Sequence, residues 1–425
     1  MVSHETMEGF SQLMTVSEFL RRLYDALPMT KQLDTEDCNL TKALGRVLAE
    51  NIIAPFDLPT FDRSAVDGYA LKALGTIGAS PTNPIEFQIV KTIAAGDAPE
   101  KVGQVGDSDA ALIFTGAPMP ERADSVVMVE HCTRMANIVQ VRRQVRPMHN
   151  VSRRGEDYLE NDTIVTAGTV LKPWHIAAIA AVGKDKVKTQ RMLRVGVLST
   201  GSEVVEPGQP MKFGQVANST KPMLLSSVMQ ERCEPADLGT VPDDAHIIME
   251  SIDSGLRECD IILTTGGSSV GAKDLVQQAI SQLHGYRFVA HGVRLRPGRP
   301  TGVSMVGDKP VFILSGFPVA AMTAFHAIVK PTIGHLTGAG EEPEPHTRGI
   351  LKRRVSNETG NKSYVRVKVT QLSKGVEVEP LMLTGSGLLS TLTKANAFLI
   401  MDEQMEGYDE GEFVEVLLTG KIFDG

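Results

Sequence analysis

Val16, Phe19, Leu20, Leu23, Tyr24 and Leu27 recur at three- and four-residue intervals and form one apolar stripe. That period predicts a helix, opened by a Thr15/Glu18 capping box and stopped by Pro28. A second helix is expected over 41–50. From 56 to about 145 the pattern changes to short apolar runs between turns: 85–92, 111–114 and 126–129. This region reads as a small, mostly β domain. A helix is expected over 168–182, with Pro173 near its start. It would pack back on the N-terminal helices, making the β region an insertion. From Arg194 onward, unbroken apolar runs alternate with helical stripes. The strands are 195–198, 237–241, 261–263 and 311–314. The helices carry Met223, Leu224, Val228 and Met229, then 247–256, then Leu275, Val276, Ala279, Ile280 and Leu283, then Met322, Phe325, Ile328 and Val329. Ser219 or Thr220 would cap the first of these, and Asp243 and Asp244 the second. Alternation of this kind predicts a parallel sheet with right-handed crossovers. Residues 337–345 read as a linker, and the alternating chain to Gly425 as a small β-barrel or sandwich.

The candidate chemistry lies in the turns. The run 260–274, DIILTTGGSSVGAKD, is a buried strand that breaks into Gly266, Gly267, Ser268, Ser269 and Gly271 before a helix. Such a turn can seat an anion on converging backbone N–H groups and a helix N-terminus. The same order also fits an ordinary strand-to-helix turn. The loop at 199–203 and the turn Ser315-Gly316-Phe317-Pro318 follow strands of the same series. All three would lie at the carboxyl edge of the sheet, where such folds bind ligands. Arg296 and Arg299 flank a Pro-Gly turn and suit phosphate oxygens, or are merely solvated. Asp57, Asp62 and Asp67 sit five residues apart in an irregular loop. They could bond turn backbone or hold a divalent cation. Thr115-Gly116-Ala117-Pro118 ends a strand and exposes a hydroxyl and a backbone N–H, or is a tight turn.

Composition narrows the partners. The 425 residues predict two to four domains, and 42% hydrophobic with 22% charged residues is ordinary for a globular protein. A net charge of −8 argues against nucleic acid. It also requires local donors or a cation for any anionic ligand. Cys38, Cys132, Cys233 and Cys259 are far apart and read as reduced thiols of a cytosolic protein. The histidines show no metal-ligand spacing. No signal peptide is read at the N-terminus, and the longest membrane-like stretch, 174–183, is too short to span a bilayer. Phosphate cradles and carboxylates on one chain are reconciled by a phosphorylated substrate bridged by Mg²⁺. The residues alone thus predict a metal-assisted enzyme acting on a nucleotide-like or phosphorylated small molecule.

The motifs FDRSAVDGYA, TGAPMP, RRGED, STGSE with EPGQP, TTGGSSVG, RPGRP and SGFPVAA occur in an order that resembles the molybdopterin molybdenumtransferase family, which includes the E domain of gephyrin. The resemblance runs from about Val16 to Gly425. It implies a multidomain α/β plus β fold in four parts. These are a discontinuous linking domain (1–55 and 148–188), a β-rich insertion (56–147), a parallel-sheet molybdopterin-binding domain (189–338) and a C-terminal β-barrel (345–425). It implies a cytoplasmic homodimer with a cleft shared between subunits. The implied substrates are adenylylated molybdopterin and molybdate or tungstate, with Mg²⁺-dependent release of AMP and a molybdopterin adenylyltransferase as a possible supplier. Carried over by motif, Asp67, Thr115, Glu203 and Asp274 become catalytic positions. Asp157, Glu203 and Asp274 become Mg²⁺ ligands. Gly266, Gly267, Ser268, Ser269, Arg296, Arg299, Ser315, Gly316 and Asn218 become substrate contacts. Three departures stand out: arginines replace the family's lysines at 296 and 299, Phe317 replaces an asparagine, and Arg63 stands where asparagine is common. A non-catalytic dimeric scaffold binding pterin or protein is the alternative, and the intact Asp67, Thr115, Glu203 and Asp274 favour the enzyme.

Overall fold

The N-terminal stripe folds as predicted, into a helix Val16–Ala26 whose Thr15 and Glu18 form a complete capping box. The computed structural model describes residues 13–28, 34–266, 275–339, 343–381 and 385–425. The chain divides into two compact units. One comprises Met1–Glu36, Gly45–Val47 and Thr189–Gly425; the other comprises Asp37–Leu44 and Leu48–Lys188.

The first unit is built on six strands: β1 (Arg194–Thr200), β2 (Glu234–Val241), β3 (Ile261–Thr265), β4 (Tyr286–His291), β5 (Gly302–Val306) and β6 (Lys309–Leu314). Their order is β2-β1-β3-β6-β5-β4. The first four are parallel, as the alternating pattern predicts. Two antiparallel strands, β5 and β4, extend the sheet at one side. Both faces are covered, which explains the unbroken apolar runs. Ile261, Leu263, Phe312 and Leu314 point into one core, together with Phe19 and Leu23 of the N-terminal helix and Leu224 and Val228 of the helix Thr220–Gln230. Ile262, Val311 and Ile313 point into the other, against Ile248 and Ile252 of the helix Ala245–Glu258 and against Val276 and Ile280. The N-terminal helix therefore covers this sheet, although its sequence position groups it with the linking domain.

In the same unit, the strands Lys362–Leu372, Gly375–Pro380, His346–Leu351, Phe413–Leu418 and Ala397–Met401 are each bonded to the next, and the last returns to the first. They close a five-stranded barrel around Val367, Val369, Val378, Leu399, Val414 and Val416. A short strand, Leu295–Arg296, runs beside Lys362 and Ser363 and joins the arginine loop to this barrel.

The second unit holds a mixed six-stranded sheet in the order Ser125–Met128, Gly68–Leu71, Asp109–Ile113, Ile85–Ile93, Ile138–Val141 and Cys132–Met135. A separate core in this unit packs Leu40, Ala43, Leu48 and Ile52 against Val165, Leu171, Ile179 and Val187.

Several local expectations are corrected. Residues 41–50 are not a helix. Only a 3₁₀ turn, Leu40–Lys42, forms. Gly45 then takes φ +77°, and Leu48 and Ala49 spend their N–H groups on Thr169 and Lys188 carbonyls. Ala43 and Leu48 of that stretch are buried, Leu44 is exposed, and the backbone pairs with distant segments instead of with itself. The helix expected over 168–182 begins only at Pro173 and runs to Ala181. Gly168, at φ +83°, ends the preceding segment, and proline favours the first helical position. Neither Ser219 nor Thr220 caps the helix Thr220–Gln230. Asn218 does so instead, accepting the Lys221 N–H at 3.1 Å. Asp244 alone caps the next helix.

Candidate active site

Three strand ends meet at the carboxyl edge of the first unit's sheet. Thr200, Thr265 and Leu314 end the neighbouring strands β1, β3 and β6. The Gly266 N–H donates to the Leu314 carbonyl at 3.2 Å, and the Thr265 hydroxyl donates to Ser199 Oγ at 3.1 Å. Gly266 has φ +97°. A Cβ there would lie 2.3 Å from the Thr200 carbonyl oxygen, so both conformation and space demand glycine. Gly316 follows β6, and its carbonyl accepts the Thr220 hydroxyl at 2.7 Å. The Ser315 hydroxyl accepts the Phe317 N–H at 3.2 Å, shaping the turn into the helix Pro318–Ala324. Gly266, Ser315, Gly316, Asn218 and Glu203 are thus gathered along one edge. Gly267, Ser268, Ser269 and Asp274 lie outside the described residues.

Beside this edge is a cavity of about 430 Å³. Arg296 and Arg299 line it with Ser315 and Phe317, and Glu358, Asn361 and Ser386 complete it. Both arginines are exposed. Arg296 has a carboxylate, Glu358, at 3.9 Å, so the guanidinium is only loosely engaged. Sequence reasoning missed the last three residues, which come from the C-terminal region. The signal available was the Gly385-Ser386-Gly387 turn. The Ser386 carbonyl accepts the Val319 N–H at 3.0 Å, satisfying a donor at the helix start. A Cβ on Gly387 would crowd the Phe317 ring at 3.1 Å.

The second unit carries the acidic turn. Asp67 Oδ1 accepts both the N–H and the hydroxyl of Thr115, each at 2.7 Å. These bonds, the backbone one first, hold the Asp67 carboxyl below the ordinary aspartate range. The turn itself is pinned from below: Ser64 N–H donates to the Ala117 carbonyl and Gly116 N–H to the Ser64 carbonyl. The three aspartates of this loop do not converge on one point. Asp57 accepts the Glu160 N–H and the Arg154 Nε–H, and Asp62 accepts the Arg154 N–H. Of the two readings left open, binding to turn backbone is the one observed. Asp157 is exposed and donates its N–H to the Leu58 carbonyl. Among the described residues, no three His, Cys, Asp or Glu side chains are grouped to hold a metal ion. The cysteines form no disulfide. Burial pushes the Cys132 and Cys233 thiols up to about 12, which removes them as nucleophiles at neutral pH. No described helix is long and apolar enough to cross a membrane.

An open α/β sheet with hydroxyls and glycines at its carboxyl edge, next to an arginine-lined cavity, defines an α/β protein with a candidate site for a small anion at that edge. The comparisons with known proteins narrow this. Residues 14–183 match the MoeA N-terminal region (domain I and II), 196–335 a "Probable molybdopterin binding domain", and 348–419 the MoeA C-terminal region (domain IV). The chain belongs to the MoeA family. It is 32% identical to a molybdopterin molybdenumtransferase of Staphylococcus aureus, over 89% of this chain and 90% of that protein. A Methanocaldococcus jannaschii protein named for molybdopterin biosynthesis is 35% identical over 95% of this chain and 96% of its own length. The crystal structure of a molybdopterin biosynthesis MoeA protein from Pyrococcus horikoshii superposes with a TM-score of 0.82 at 33% identity, covering 96% of this chain and all of that one.

Proposed function

We propose that the chain is a molybdopterin molybdenumtransferase of molybdenum cofactor biosynthesis. It takes adenylylated molybdopterin and molybdate or tungstate, cleaves the pyrophosphate link, releases AMP and leaves the metal on the dithiolene sulfurs. The observation that carries this reading is the Arg296/Arg299 cavity at the carboxyl edge of the sheet, on a chain of this family. Both substrates are anions and the chain carries −8, so local cations and oriented N–H groups must supply the attraction. Arg296 and Arg299 hold oxyanion or phosphate oxygens. Gly266, Gly267, Ser268, Ser269, Ser315, Gly316 and Asn218 orient the substrate. Asp67 and Thr115 serve the reacting end.

The donor chemistry fits Mg²⁺. This ion keeps water and takes one or two carboxylates together with substrate phosphates, not an all-protein cage. Glu203 is exposed next to the end of β1 and offers oxygen ligands; Asp274 and Asp157 are its proposed companions. When bound, Mg²⁺ would neutralise charge on the pyrophosphate and the departing AMP.

The reading includes a homodimer in which Asp67 and Thr115 of one subunit serve the substrate of the other. It includes a molybdopterin adenylyltransferase as supplier and a cytoplasmic location, consistent with four cysteines in no disulfide. The four-part division 1–55 with 148–188, 56–147, 189–338 and 345–425 belongs to it as well, with the helix Val16–Ala26 assigned to the α/β core. A non-catalytic scaffold is not favoured.

The test is AMP release. Purified protein is mixed with adenylylated molybdopterin, Mg²⁺ and either molybdate or tungstate, and AMP is followed by chromatography. Oxyanion-dependent release is expected, and the better oxyanion identifies the metal. Substrate binding without release overturns the transferase reading.

A further inference from the structure

Lys221 is 3% exposed, in the first turn of the helix Thr220–Gln230. A lysine so buried needs partners. Its ammonium reaches Glu206 Oε1 at 2.7 Å and Asp237 Oδ1 at 2.8 Å. Glu206 also accepts the Thr240 hydroxyl. Asn218 closes the network: its Oδ1 accepts the Lys221 N–H at 3.1 Å and its Nδ2 donates to Thr240 Oγ1 at 3.0 Å. Three segments are joined here: the loop after β1, the start of a helix and the far half of β2.

The strand β2 is deformed to supply two of these groups. Val197 of β1 pairs with Asp237, but Ser199 pairs with Thr240, so β2 uses one residue more than its neighbour. Strict alternation would send Asp237 and Thr240 to opposite faces. The extra residue restores them to one side. Gly239 provides it, with φ +88° and its N–H on Asp237 Oδ1 at 2.8 Å. Bulges of this kind re-aim side chains next to functional sites.

The loop that this network grips has few other anchors. Val204–Val205 pairs with Val216–Ala217, through Val216 N–H to the Glu203 carbonyl and Asn218 N–H to the Val205 carbonyl, at 3.0 and 2.8 Å. Ser202 and Asp243 exchange two exposed hydrogen bonds. Residues 207–214 are all exposed. Among these anchors, the ion pair with Glu206 is the one that ties the loop to a buried side chain, that of Lys221.

We propose that Lys221 is a positioning residue that, through Glu206 and Asp237, fixes the loop 201–206 and with it the Glu203 carboxylate at the edge of the sheet. This rests on the assignment of Glu203 made above. No motif marks Lys221.

The experiment compares Lys221→Met, Glu206→Gln and Glu203→Gln in the full chain. Lys221→Met strands two carboxylates and can unfold the protein. Glu206→Gln keeps the shape and leaves Lys221 its Asp237 partner, so it carries the test in that event. Amide hydrogen exchange at Val216 and Asn218 reports the loop. Mn²⁺ binding in the presence of AMP, by electron paramagnetic resonance, reports the metal end. In the positioning variants the two amides should exchange faster while those of Ile262 and Leu263 do not change. Mn²⁺ should bind about 10–100-fold more weakly, the usual effect of losing a group that orients a ligand. In AMP release, the Mg²⁺ requirement should rise far more than kcat at saturating Mg²⁺ falls. Folded variants with unchanged exchange and unchanged Mn²⁺ binding overturn the inference. If Glu203→Gln weakens Mn²⁺ binding and the positioning variants do not, the role of Glu203 stands and that of Lys221 falls. If Glu203→Gln has no effect, both fall.

Discussion

The acidic turn of the second unit and the sheet edge of the first use the same materials: a strand end, a glycine, a hydroxyl and an acid. They are assembled in different ways. At Asp67 the carboxylate is itself the fastener, accepting two hydrogen bonds from Thr115. The group proposed for chemistry and the group that holds the turn are one and the same. At the sheet edge, backbone does the holding. Gly266 is seated by the Leu314 carbonyl and by its closeness to Thr200. The nearby acid, Glu203, has an exposed side chain on a loop whose backbone carbonyl at Glu203 accepts the Val216 N–H and whose Glu206 pairs with Lys221. A side chain that fastens itself can be changed in charge with little change in shape. A site made from backbone cannot be altered without disturbing the strands that carry it.

Three changes test that contrast. Asp67→Asn keeps an oxygen acceptor for Thr115 and removes the charge. AMP release should fall on the order of 10²-fold or more, as for other groups that stabilise developing charge, while the thermal midpoint barely moves. A large drop in that midpoint would show that the charge itself holds the turn. Gly266→Ala should do the reverse. Backbone strain at positive φ alone is worth about 1–3 kcal/mol, and the clash with the Thr200 carbonyl adds to it, so urea unfolding should detect a loss of stability together with a loss of activity. Unimpaired stability would mean that the edge can relax. The smallest effect is on pH dependence. Thr115 holds Asp67 below its usual value of 3.8. A group whose folded-state pKa is depressed stabilises above its unfolded pKa, and that contribution is lost as pH falls through the lower folded value. Carboxyl ¹³C titration should place Asp67 below ordinary aspartates, and Thr115→Val should move it back up. A midpoint indifferent to Thr115 would break the claim that this side of the site fastens itself.

Much of the fold was legible because burial leaves a periodic trace. The unbroken runs at 195–198, 261–263 and 311–314 announced strands covered on both faces, and the Thr15/Glu18 pair announced the start of the first helix. The stretch 41–50 misled because its composition suits a helix, while only Ala43 and Leu48 are buried, five residues apart, and Leu44 is exposed. Its backbone partners, Thr169 and Lys188, lie more than a hundred residues away. At the site, the turns that contribute Gly266, Ser315 and Gly316 could be read from strand-to-helix punctuation. Of Ser386, Asn361 and Glu358 only the first sits in a glycine turn that could have marked it, and nothing local says that the barrel meets the arginine loop.

The amino-acid sequence by itself determined the alternating parallel strands and helices of the α/β core, the glycine turns at the strand ends and the family, since each is written in local pattern and motif. Tertiary structure alone decided which acids are spent on backbone, which cavity the arginines face and why a lysine is buried beneath the loop of Glu203. Those outcomes depend on which distant groups come within hydrogen-bond reach, and a linear pattern carries no distances between segments until the sheet and barrel have closed.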